Sequence, residues 1–348
     1  MTQPERRRAD DRKNIPENDP QAGEPAGSSA ATGAGRQGGN GTAGQGAGES
    51  APQGEEGPLR QSAAPGGVGA RSPLYFAKNA GRYQRQDLIR EYQAVHDCRL
   101  IVMSGPIFDY SVMYFEELIF DASPEQDLHL MLASQGGDGE VAVRMVRAAQ
   151  ARCRHLTVIV PDQAKSAATL LALGAHKILM GPTSDLGPVD PQFPFGEYDL
   201  VSAKDIIAAV ERALADVAER PDTYALHSAM LSEVNALKVE QARSALERTG
   251  DLLKEALQSN PDRSEGDTEA LADALHEPLI DAPKDHAAIF GAKYAQKLGL
   301  PVAMCDPASP QWRLIWQLWM HYFALGDVII YENERASQVI PQGEDAES

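Results

Sequence analysis

Three short apolar runs, with helix-like segments after the second and third, constrain this chain more than any other feature. Arg99 to Met103 (RLIVM), Asp127 to Ala133 (DLHLMLA) and His155 to Val160 (HLTVIV) read as short buried strands. Between the second and third, GEVAVRMVRAAQARC sets Val141, Met145, Ala148 and Ala149 on one face at helical spacing. Strand, helix and strand in about 30 residues make a βαβ unit, whose crossover implies a parallel sheet. Ser166 to His176 (SAATLLALGAH) follows as a helix too apolar for a surface, and Ile178 to Met180 as a further strand. The fold class is therefore α/β.

The rest of the chain divides by composition. Residues 1–72 hold 15 of the 30 glycines and no Phe, Trp or Tyr. A segment with so little to bury cannot offset its ordering entropy, so it is expected to be a disordered Gly/Ala/Pro-rich tail. Arg6, Arg7 and Arg8 make its start basic, but it has no apolar core of signal-peptide type. Residues 73–202 form the expected core of the fold. Within them, SDLGPVDPQFPFGEY is too rich in Pro and Gly for regular structure. Residues 203–330 read as a helical extension, with Ile206, Val210, Leu214 and Val217 on one stripe and a loop over 260–285. In the same segment, His286 to Leu300 and Gln311 to Leu325 read as further helices. Residues 331–348 read as an acidic, frayed tail.

The net charge of −18 falls almost wholly on residues 73–348, because the first 72 carry nine acidic and eight basic residues. Such a body repels phosphate and disfavours nucleic-acid binding. Cys98, Cys153 and Cys305 are odd in number, far apart and without metal-type pairing, as expected of reduced thiols in a cytoplasmic protein. No metal or cofactor is expected. No run reaches the roughly 18 apolar residues of a membrane span, while peripheral membrane association stays open.

Two spots carry chemistry. Ser134-Gln135-Gly136-Gly137-Asp138-Gly139 follows one strand and precedes a helix. Its paired glycines can turn backbone N–H groups toward an anion, or simply make a tight connection. Lys165-Ser166-Ala167-Ala168 follows the next strand and opens the buried helix, where a serine is either a helix cap or a hydroxyl at the positive end of the dipole. In a parallel sheet both turns open on the same carboxyl edge. A Gly-Gly turn facing a helix-start serine makes an oxyanion hole beside a nucleophile.

SQGGDGEVAVRMVRAA, VPDQAKSAATLLALGAHKILMG, SDLGPVDPQF and DHAAIFGAKYAQKLGLPV together resemble the prokaryotic serine-peptidase branch of the signal-peptide-peptidase family. That branch includes the serine dehydrogenase proteinases. The resemblance runs from about Leu74 to Leu325. It implies a Clp protease/crotonase-like spiral of β-β-α units with a parallel sheet and a C-terminal helical segment. It implies a serine peptidase acting on peptide or protein substrates, with Ser166 as nucleophile and Gly136, Gly137 and the Ala167 amide at the oxyanion hole. Leu186, Gly187 and Pro188 match the pocket-shaping segment, and homo-oligomers are implied. Val189, Phe193, Phe195 and Tyr198 supply apolar material for subunit contact.

The general base is less clear from the sequence. Clp-type peptidases place a histidine about two dozen residues after the serine, where this chain has Asp190-Pro191-Gln192. Signal-peptide peptidases use a lysine instead. Lys204, 38 residues after Ser166, fits that spacing, and Lys238 is the alternative. Lys165 is expected to point away from the serine. Two other readings remain: a non-catalytic oligomeric scaffold of the same fold, and a crotonase-type acyl-CoA enzyme.

Overall fold

The computed structural model describes residues 71–195, 199–283 and 286–342, all within the compact unit Val68–Ser348. Most of the expected N-terminal tail, Tyr198 and residues 343–348 lie outside the described residues.

Two helices, α1 (Pro73–Lys78) and α2 (Ala80–His96), lead into β1 (Cys98–Ser104). Then come α3 (Asp109–Leu118), β2 (Asp127–Ala133), α4 (Gly139–Gln150) and β3 (Leu156–Val160). A two-residue strand, β4 (Gln163–Ala164), precedes α5 (Ala167–Leu173) and β5 (Lys177–Met180). Next are β6 (Asp185–Leu186), β7 (Gln192–Phe195) and β8 (Asp199–Ser202). Four helices follow: α6 (Ala203–Glu219), α7 (Tyr224–Met230), α8 (Ala236–Gln258) and α9 (Glu265–His276). The described chain finishes with β9 (Phe290–Gly291), α10 (Ala292–Lys297), β10 (Val302–Met304), α11 (Pro310–Phe323), β11 (Val328–Glu332) and β12 (Ser337–Pro341).

Seven strands form the central sheet in the order β10-β5-β3-β2-β1-β11-β12. The five from β10 to β1 run parallel, with Leu130 opposite both Ile101 and Val158. Both faces are covered, which is why these strands read as unbroken apolar runs. One face packs on α3, α4, α5 and α8 through residues such as Phe115, Val146, Leu171 and Leu253. The other packs on α2 and α11 through Tyr92, Trp312, Trp319 and Tyr322. Every residue of α5 is buried, as its composition predicts.

Four expectations need correction. The chain expected to fray from residue 331 is paired through Pro341, where β11 and β12 add antiparallel strands beside β1. Its acidic Glu332 is fully buried rather than solvated, because Arg85 from α2 meets it at 2.7 Å. The Pro/Gly-rich stretch after Ser184 holds short strands: β6 joins β4 and β9 in a small sheet, and β7 and β8 form a hairpin. Segment 203–330 is not helical throughout, since β10 and β11 enter the central sheet and the helix expected from His286 begins only at Ala292. In 260–285, expected mostly as loop, Ser264 caps α9 by accepting from the Asp267 amide.

Candidate active site

β2 and β3 are adjacent and parallel, so the turns that follow them share one edge of the sheet. Ser134 N–H donates to Gln163 O, and Lys165 N–H donates to Ser134 O, both at 2.9 Å, locking the two turns together. Ser166 has φ 48° and ψ −120°, a region that non-glycine residues avoid. Its hydroxyl makes no capping bond to α5, so the default role of a helix-start serine does not account for it.

Gly136 explains how this strained turn fits. Its φ is +107°, and a Cβ there would lie 2.6 Å from the Ser166 Cβ and 2.8 Å from Lys165 O. Only a bare α-carbon lets the two turns approach. The Gly136 N–H, expected in the oxyanion hole, instead donates to Ser134 Oγ at 3.0 Å. The Gly137 and Ala167 amides donate to no acceptor among the described residues. Both residues line the same cavity as Ser166, and two amides free of acceptors among the described residues are what an oxyanion hole needs. Asp138 caps α4 by accepting from the Glu140 and Val141 amides.

These groups open into a cavity of about 970 Å³ whose walls include Gln135, Leu170, Thr249, Leu252 and His286. Its wall from α8 is fastened by Arg248, which grips Glu140 with two nitrogens and Glu255 with a third. Leu186, Gly187 and Pro188 sit behind the serine rather than on the cavity wall. Pro188 O accepts from Ser166 N–H at 3.1 Å, and Gly187 exchanges hydrogen bonds with the Thr169 hydroxyl.

Lys165 does point away, as expected. Its buried Nζ donates to Asp185 (2.6 Å), Leu186 O (3.2 Å) and Ala288 O (3.1 Å). The last bond ties the 286–289 turn to the residue that precedes the serine. Lys238 reaches β7 instead of the serine, with Nζ 4.3 Å from the centre of the Phe195 ring. Lys204 Nζ donates to Ile280 O at 3.1 Å and to Pro283 O, and lies 3.8 Å from Asp190 Oδ2.

One pair was not singled out from the sequence. His286 Nδ1 is 2.9 Å from Asp190 Oδ1. The Asp190 carboxylate is 1% exposed, and its Oδ2 accepts from Gln192 Nε2 at 2.9 Å. Burial pushes its pKa up. The hydrogen bond from His286, the Ser202 hydroxyl and the charges of His286 and Lys204 outweigh this and hold it below the ordinary carboxylate range. His286 therefore faces an ionised partner on one side and the serine's cavity on the other.

Curated relatives are the uncharacterized proteins MJ0137 and MJ1495 of Methanocaldococcus jannaschii. The first is 39% identical over 98 residues and the second 30% identical over 124 residues, or 28% and 34% of this chain. The matches span only 32% and 42% of those proteins' own lengths. Among solved structures, a mutant of the 1510-N membrane-bound stomatin-specific protease aligns at 15% identity and a TM-score of 0.37, over 59% of this chain and 77% of that one. A second mutant, in complex with a substrate peptide, aligns at 13% and 0.38, over 69% and 85%. The model of the ClpP-like SDH-type serine proteinases matches residues 84–303, well over half of the sequence, and the chain belongs to that family.

Proposed function

We propose that the protein hydrolyses peptide bonds through a Ser166–His286–Asp190 triad. The observation that carries this reading is the buried Asp190 carboxylate 2.9 Å from a histidine that lines the serine's cavity. A carboxylate only accepts, so the neutral imidazole carries its hydrogen on Nδ1 and leaves Nε2 with a lone pair. Ser166 Oγ attacks the scissile carbonyl while its proton passes to Nε2. The Gly137 and Ala167 amides receive the charge that develops on the carbonyl oxygen. Collapse expels the amine, which takes the proton from Nε2, and water then releases the acyl group by the same route.

The lysine mechanism has weaker support. Lys204 has two carbonyls and a carboxylate for partners, the surroundings of an ammonium rather than of a proton acceptor. Lys238 does not line the cavity. The cavity itself suits an extended peptide, with apolar walls from Leu170, Ala245 and Leu252. Assembly into homo-oligomers fits the apolar side chains left exposed on α6 and α7, among them Leu214, Tyr224 and Met230. No described helix is long and apolar enough to cross a membrane.

The test is incubation of the full chain with a mixture of unstructured peptides, read by mass spectrometry. Cleavage by the parent and none by Ser166→Ala or His286→Ala is the expected result. Equal cleavage by Ser166→Ala overturns the reading. A parent that labels and cleaves nothing supports the scaffold alternative.

A further inference from the structure

Lys204 stands at the spacing of a lysine base, yet its surroundings give it different work. Its Nζ donates to Ile280 O and Pro283 O, two carbonyls of the segment that leads to His286. Its third direction faces Asp190 Oδ2 at 3.8 Å, and its side chain is only 18% exposed. It lines a cleft of about 300 Å³ together with Asp190, Gln192, Ser202, Asp205 and His286. The larger cavity that holds Ser166 does not have Lys204 in its wall. The Asp190–His286 pair depends on bringing two distant parts of the chain together, which the β6–β9 pairing does on one side of His286 and the Val189 N–H to Leu279 O bond at 2.9 Å on the other. Lys204 adds a further fastening from α6.

We infer that Lys204 is a positioning residue for the Asp190–His286 pair, tying the 280–283 segment to α6 and keeping a positive charge beside the carboxylate. This rests on the triad reading above. Among the described residues, the charged groups that bear on the pair are Lys204 and Asp205 from α6. Nearby Lys165 and Asp185 are matched to each other, as are Arg248 and Glu140. A cation next to the pair disfavours a proton on His286, so its removal lets the imidazole protonate more readily. The acid limb of any His286-dependent rate then moves to higher pH.

The experiment is labelling of Ser166 by a fluorophosphonate probe, followed against pH in the full-length parent, Lys204→Met, Lys204→Arg and His286→Ala. Lys204→Met is expected to label several-fold more slowly at neutral pH, with its acid limb raised by about one unit and the rate regained in alkali. Lys204→Arg keeps the charge and should keep the parent's limb. If Lys204→Met does not fold, Lys204→Arg decides alone, and a displaced limb there contradicts the inference. A parent-like limb in Lys204→Met overturns it, and so does loss of labelling at every pH. The triad reading fails separately, through parent-like labelling of His286→Ala.

Discussion

His286 Nδ1 lies 2.9 Å from Asp190 Oδ1, although 96 residues separate them. In the proposed triad, the carboxylate would fix the ring's tautomer and orientation and stabilise the imidazolium formed when Ser166 gives up its proton. Asp190→Asn removes both effects at little change in volume. Its fluorophosphonate labelling should fall by roughly three to four orders of magnitude, the scale on which triad carboxylates act. A melting temperature close to the parent's would show that the loss lies in the chemistry, and an unchanged labelling rate would place the base elsewhere.

Gly136→Ala should inactivate the enzyme without touching any reacting group. The new methyl would meet the Ser166 Cβ at 2.6 Å, and φ +107° is itself hostile to alanine. The two turns must part, carrying Ser166 away from the Gly137 amide. Loss of one oxyanion donor alone lowers rates by about 10²–10³ fold, so kcat is expected to drop at least that far. Comparison with the parent by steady-state kinetics on a cleaved peptide checks it, and retained kcat would contradict the described approach of the turns.

A third prediction concerns stability, far from the serine. His129 on β2 accepts from or donates to the Tyr92 hydroxyl at 2.8 Å. Burial, with the nearby charges of His96 and Lys177, lowers its pKa from 6.5 to about 4. A base whose folded pKa is depressed favours folding fully above its unfolded value. That contribution is lost as pH falls from 6.5 toward 4, because the unfolded chain takes up the proton first. The loss is on the order of 2 kcal/mol. His129→Gln keeps a hydrogen-bonding partner for Tyr92 but cannot titrate. Between pH 7 and 4.5 its melting temperature should fall less than the parent's, and equal slopes would dismiss the effect.

The sequence carried the parallel core and the buried helix that Ser166 precedes for a physical reason. Strands buried on both faces must be largely apolar, and a helix as apolar as α5 has only the interior to occupy. The Gly-Gly turn was equally legible, because its backbone geometry excludes other residues. The base was not. Asp190 and His286 are joined by tertiary packing across 96 residues, and no local spacing records that. Their separate signals were visible, as the DPQ string and the histidine turn before an Ala-rich segment. The C-terminal strands were missed because Glu332 and Asn333 look solvated in isolation, whereas Arg85 and Gln86 of α2 receive them in the interior.

The most direct measurement is the site of covalent attachment after treatment with a fluorophosphonate, located by tandem mass spectrometry of the digested protein. The account predicts a single adduct on Ser166 in the parent, none in Ser166→Ala and a greatly slowed one in His286→Ala. An adduct on another serine, or undiminished labelling of Ser166 in His286→Ala, would contradict it.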